Sequence, residues 1–142
     1  MFVIGRTPLV LFACVHNAGR SQMAAAFFNA IADASRVVGA SAGLEPARRV
    51  HPEVVTAMRE VGFELSNVLP RQLTDELQRG TSFLVTLGCG ERCPLVPSAR
   101  RVDWPLDDPK GKPLERVREI RDEVRRRVEQ LVAANGWGYA GG

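Results

Sequence analysis

The residues with the clearest chemical potential are a thiol and a guanidinium six positions apart, in Cys14-Val15-His16-Asn17-Ala18-Gly19-Arg20-Ser21. Backbone N–H groups of such a loop can converge. A helix beginning there adds partial positive charge, which suits a tetrahedral oxyanion. Arg20 can grip two of the anion's oxygens with a planar fork. Cys14 then lies beneath the central atom, where the same field favours the thiolate, the nucleophilic form. Ser21 can donate a hydrogen bond to that sulfur, and Asn17 can cross-link the loop. The substrate-contacting set is therefore Cys14, Val15, His16, Asn17, Ala18, Gly19, Arg20 and Ser21. His16 flanks the site as a residue that tunes or contacts substrate, not one that catalyses.

Two more thiols sit in Gly88-Cys89-Gly90-Glu91-Arg92-Cys93-Pro94. A glycine-containing loop with two cysteines suits thiol–disulfide exchange, because it can deliver one sulfur to Cys14 and then pair it with the other. A zinc site would need a second cysteine pair, and the only histidines are His16 and His51, so no metal is expected. A third loop, Asp103-Trp104-Pro105-Leu106-Asp107-Asp108-Pro109, carries carboxylates. Asp108 is the candidate proton donor to a departing hydroxide or alkoxide, since Pro109 restricts the residue before it. Asp103 and Asp107 read as polar turn residues.

The elements that must position these loops follow from the pattern of apolar residues. Leu9 to Ala13 is a continuous apolar run, as in a strand buried on both faces. Ser21 to Asp33 reads as a helix, Arg36 to Ala40 as a short strand, and His51 to Val61 as a helix ended by Gly62. Thr74 caps a short helix through Gln78. Ser82 to Leu87 and Arg100 to Trp104 are further strands. Leu114, Val117, Ile120, Val124, Val128, Leu131 and Val132 form one helical stripe, with the charges of that helix on a solvated face. This order predicts an α/β domain with a mostly parallel sheet. Ligands of such sheets bind beyond the carboxyl ends of the strands, where all three loops fall.

With 142 residues the chain is expected to form one domain, 1–142, with 135–142 as a frayed tail. The composition is 45% hydrophobic and 25% charged, which excludes a disordered chain. Net charge is +3, from 17 Arg and 2 Lys interspersed with 16 acidic residues, so nucleic-acid binding is not demanded. No apolar run reaches the ~20 residues of a membrane span. Arg6 followed by Pro8 to Cys14 is too short for a lipoprotein signal. Three cysteines fit a reducing, cytoplasmic setting better than a disulfide framework.

Taken together these residues resemble the thioredoxin-coupled arsenate reductases, built on the low-molecular-weight protein tyrosine phosphatase fold. The resemblance rests on Cys14 to Ser21 with Gln22-Met23-Ala24, on Ser41-Ala42-Gly43, Glu60-Val61-Gly62, Val85-Thr86-Leu87, Cys93-Pro94, and Trp104 through Asp107-Asp108-Pro109. It implies a three-layer domain with a four-stranded parallel sheet, and a monomer. It also implies a relay in which Cys14 attacks arsenate, Asp108 assists loss of water, Cys89 attacks Cys14 and Cys93 attacks Cys89. An external reductant, thioredoxin or a mycoredoxin-type protein, then opens the Cys89–Cys93 disulfide, with no metal or organic cofactor. Some members bind potassium through acids at positions that here align with Ala25 and Arg71, which argues against a potassium site. The rival readings are a phosphatase using Cys14 and Asp108 alone, and an oxyanion- or arsenite-binding module using the thiols.

Overall fold

Strand β1, Leu9–Cys14, is apolar at every position but its last sulfur and lies at the centre of the sheet. The computed structural model describes residues 7–139 other than 90, 91, 93–95 and 98. Around β1 the chain runs through α1 (Arg20–Ile31), β2 (Val38–Gly43), α2 (Pro52–Arg59), α3 (Asp75–Arg79), β3 (Phe83–Leu87), β4 (Arg100–Trp104) and α4 (Leu114–Asn135). The sheet order is β2-β1-β3-β4, and every pairing is parallel. The carboxyl ends of all four strands therefore share one edge.

The period of two along β1 sorts its side chains into two layers. Val10, Phe12 and Cys14 face a core with Met23, Phe27 and Phe28 of α1, Val54 and Met58 of α2, and the α4 stripe. Leu11 and Ala13 face a smaller core with Leu84, Leu73 and, on α3, Leu77. The expected three-layer α/β architecture is thus present. Thr74 caps α3 as expected, its hydroxyl accepting the Leu77 N–H at 3.1 Å.

Three expectations change. Strand β2 starts later and runs on to Gly43, because Ser41, Ala42 and Gly43 pair with Phe12, Ala13 and Cys14. The α4 charges are not all on a solvated face. Arg121 is buried, donating to the Ala57 carbonyl at 2.9 Å and to Glu60, so it supplies the donor that the end of α2 needs. Of the tail expected to fray, residues 135–139 are pinned through Gly138 and Trp137, and 140–142 lie outside the described residues. The Trp137 ring packs edge-on against Phe28 and Phe83 at 5.9 and 5.7 Å, and its carbonyl accepts the Asp33 N–H. An antiparallel bridge between Ala32 and Gly138 completes the attachment.

Phe28 is fully buried between Phe12, 5.4 Å away centroid to centroid, and Trp137, and a Cβ on Gly39 would come within 2.7 Å of its ring. It joins helix, sheet and tail. Phe28→Ala should lower the unfolding free energy by about 3–5 kcal/mol. Urea titration followed by circular dichroism measures it, and a loss under 1 kcal/mol would show that Phe28 does not carry the core.

Candidate active site

The loop between β1 and α1 is shaped by the segment that follows β2. The carbonyls of Cys14, Val15, His16 and Ala18 accept the N–H groups of Leu44, Glu45, Ala47 and His51, at 3.3, 2.8, 3.0 and 2.9 Å. A trans peptide points its N–H opposite its carbonyl. Pulling these carbonyls outward therefore turns the N–H groups of Val15, His16, Asn17 and Gly19 inward. The Asn17 N–H verifies this, reaching Cys14 Sγ at 3.3 Å. The helix N-terminus at Arg20 adds its partial positive charge to the same space.

A chain of hydrogen bonds of defined polarity backs the cradle. Asn17 is fully buried with φ 50°, a left-handed conformation that asparagine tolerates. Its Oδ1 accepts the Arg71 backbone N–H at 2.9 Å and Gln22 Nε2 at 3.0 Å. Its amide nitrogen must then face Ser21, to which it donates at 2.8 Å. Ser21 Oγ lies 2.8 Å from Cys14 Sγ and, with Asn17 donating to it, has its own proton free for the sulfur. Ser21 and the Asn17 N–H thus both serve as donors to a Cys14 thiolate.

Arg20 is nearly buried. Its Nη1 donates to the Leu106 carbonyl at 2.7 Å, and its Nη2 lies 3.8 Å from Asp108 Oδ2. The other Asp108 oxygen accepts the Lys110 N–H at 3.0 Å. Asp108 is held at the rim, its side chain 45% exposed. Asp107 is turned to a structural partner as expected, whereas Asp103, read as a turn residue, lies in strand β4 against Thr86 and Arg101. The Thr86 hydroxyl and Arg101 hold the Asp103 carboxyl below the usual range, and Arg116 does the same for Asp107.

Cys89 is 7% exposed, and its Sγ lies 3.9 Å from the carbonyl of Ala13, the residue before Cys14. Cys14 is a free thiol, and Cys89 is disulfide-bonded. Cys93, the third cysteine of the expected relay, lies outside the described residues. The structure thus brings Cys14, Arg20, Ser21, Asp108 and Cys89 to one end of the sheet.

Several contributors were not legible in the sequence. His51 donates its N–H to Ala18, and a Cβ on Gly19 would lie 3.6 Å from its ring. Burial pushes its imidazole below the ordinary value, against the pull of Glu53 and Asp108. A histidine before Pro52 at a helix start was the only signal. Gln22 and Arg71 hold Asn17, and no sequence spacing announces that. Arg71 Nε also donates to the Ser41 carbonyl at 2.9 Å, while Ala25 lines the same small cavity. Among the described residues no three His, Cys, Asp or Glu side chains gather as metal ligands, and no helix is long and apolar enough to cross a membrane.

A family model of low molecular weight phosphotyrosine protein phosphatases matches residues 9–135. A putative arsenate reductase of Halobacterium salinarum is 43% identical over 130 residues, spanning 84% of this chain and 87% of its own length. A glutaredoxin arsenate reductase of Synechocystis is 35% identical over 127 residues, spanning 87% and 95%. The solved structure of a thioredoxin-dependent arsenate reductase of Corynebacterium glutamicum superposes with a TM-score of 0.78 at 39% identity. That superposition covers 93% of this chain and 63% of the other, so this chain spans less than two thirds of that one.

Gly88 gives a direct test of the geometry. Its φ is +77°, and a Cβ there would fall on the Arg20 guanidinium, 2.9 Å from Cζ. Gly88→Ala should displace Arg20 and weaken arsenate or sulfate binding by about tenfold or more, since the lost fork is a charge-assisted pair. Calorimetric titration of both proteins decides it; equal affinities would remove Arg20 from the anion site.

Proposed function

The chain belongs to the low-molecular-weight phosphotyrosine protein phosphatase family, and from that premise we propose that it is an arsenate reductase working through a thiol relay. The observation that carries the proposal is the position of Cys89. Its sulfur is seated at the end of β3, against the residue preceding Cys14. Hydrolysis of a phosphate ester would leave that sulfur without a role.

In the proposed mechanism arsenate lies in the ring of inward N–H groups with Arg20 bridging two oxygens. Cys14 Sγ attacks arsenic, and Asp108 passes a proton to the departing oxygen, which leaves as water. Arsenic is still As(V) in this thiol adduct. Cys89 then attacks Cys14 Sγ. The sulfur–arsenic bond breaks, its electron pair goes to arsenic, and arsenite leaves as As(III). The two electrons have come from the two thiols, now a Cys14–Cys89 disulfide. Cys93 attacks Cys89 and frees Cys14, and an external thiol reductant of the thioredoxin or mycoredoxin type restores the pair. The proposal includes no metal or organic cofactor. We place the enzyme in the cytoplasm as a monomer. The same cradle with Cys14 and Asp108 is sufficient for phosphate-ester hydrolysis, which is the second reading and the family's own chemistry.

The test couples the protein to arsenate, thioredoxin, its reductase and NADPH. Arsenate-dependent NADPH loss is expected; aryl phosphate hydrolysis without it would replace the reductase by a phosphatase. Cys14→Ser should abolish turnover in a folded protein. Cys93→Ser should release about one arsenite per enzyme and stop, because the Cys14–Cys89 disulfide stays inside the anion site, out of a reductant's reach. Repeated turnover of Cys93→Ser at the wild-type rate would remove Cys93 from the relay.

A further inference from the structure

Glu45 is tied to the oxyanion loop by both of its backbone groups. Its N–H donates to the Val15 carbonyl at 2.8 Å, and its carbonyl pairs with His16 Nδ1 at 3.0 Å. Its side chain leaves that loop and forms an ion pair with Arg92. Arg92 is in turn tied to the relay loop, its N–H donating to the Cys89 carbonyl at 3.1 Å. A continuous set of links therefore runs from the residues just after Cys14, through the Glu45–Arg92 pair, to Cys89. On its other side Cys89 Sγ packs against the Ala13 carbonyl at 3.9 Å.

We propose that Glu45 and Arg92 are positioning residues that clasp the relay loop to the oxyanion loop and hold Cys89 at striking distance from Cys14. The inference rests on the thiol-relay reading and concerns its second step, in which Cys89 Sγ attacks the Cys14 sulfur of the arsenic adduct. A loop closed on one side only must find its attack geometry by diffusion, whereas a tethered one holds the nucleophile near it. Cys89 occupies this buried seat in its disulfide-bonded state. Both members of the pair are more than half exposed, at 54% and 63%, so the clasp is weak and sensitive to salt. A weak clasp suits a loop that must also yield its sulfur to a reductant.

Two readouts test it. In reduced protein, alkylation of Cys89 read by mass spectrometry should be about two- to fivefold faster in Glu45→Gln and Arg92→Gln than in wild type at low salt. Single-turnover arsenite release should be slower by a similar factor. Both differences should fade near 1 M salt, where screening is nearly complete at pair distance. The exchanged pair Glu45→Arg with Arg92→Glu should restore both rates, which a merely structural role would not do. Arsenate affinity, titrated calorimetrically, should stay at the wild-type value. Wild-type alkylation rates in both single variants, failure of the exchange to rescue, or a parallel loss of arsenate affinity would each overturn the clasp. If wild-type protein releases no arsenite, the relay reading falls, and the alkylation rates alone decide whether the clasp exists.

Discussion

Four carbonyls of the β1–α1 loop are drawn outward by N–H donors of the 44–51 segment, and the site depends on that orientation. A planar peptide cannot turn its two polar ends independently. Satisfying the carbonyls on the outside therefore creates an inward set of donors over Cys14 with no ligand present. Donors fixed in this way pay little reorganisation when charge develops on an oxyanion, which is the usual source of large electrostatic stabilisation. The arrangement needs close backbone contact. A Cβ on Gly43 would lie 2.7 Å from the Val15 carbonyl and 2.9 Å from the Asn17 nitrogen, so only glycine lets β2 end against the loop.

The sheet topology decides what joins the cradle. Because β3 lies directly beside β1 and runs parallel to it, the residues after Leu87 emerge next to the residues after Cys14. That single adjacency places Gly88 under Arg20 and Cys89 beside Ala13. Strand β4 beyond it brings Leu106 and Asp108 to the far side of the guanidinium. Arg20 is nearly buried, and burying a charge is costly unless it is paired and hydrogen-bonded. The Leu106 carbonyl and Asp108 meet that demand and also aim the fork.

Anion chemistry and redox chemistry are separable in this fold. The inward N–H groups and Arg20 form a cradle suited to any tetrahedral oxyanion. In the proposed relay the neighbouring Cys89 sulfur makes electron transfer available, since arsenic can accept an electron pair from a sulfur bond where phosphorus in a phosphoester cannot do so productively. Two loops on one sheet edge thus combine an anion site with a disulfide-forming site.

The sequence alone was sufficient for the α/β class, the position of Cys14 at a strand end, and the gathering of three loops beyond the strands' carboxyl ends. Those features rest on local signals: an apolar run bounded by Pro8, a capping threonine at position 74, and a 3.6-residue stripe on α4. Arg20 was legible from its place six residues after Cys14 at the start of a helix. What the sequence could not decide was which distant groups meet. The extension of β2 to Gly43 depends on pairing with β1, and the pinned tail depends on an aromatic contact between Trp137 and Phe28. The burial of Arg121 follows from the end of α2. Asn17 is fixed by Gln22 and Arg71, and Arg71 is 54 positions away in the chain. Periodicity and turn chemistry report on a residue's near neighbours. Long-range hydrogen bonds between loops carry no periodic trace, so only the folded chain decides them.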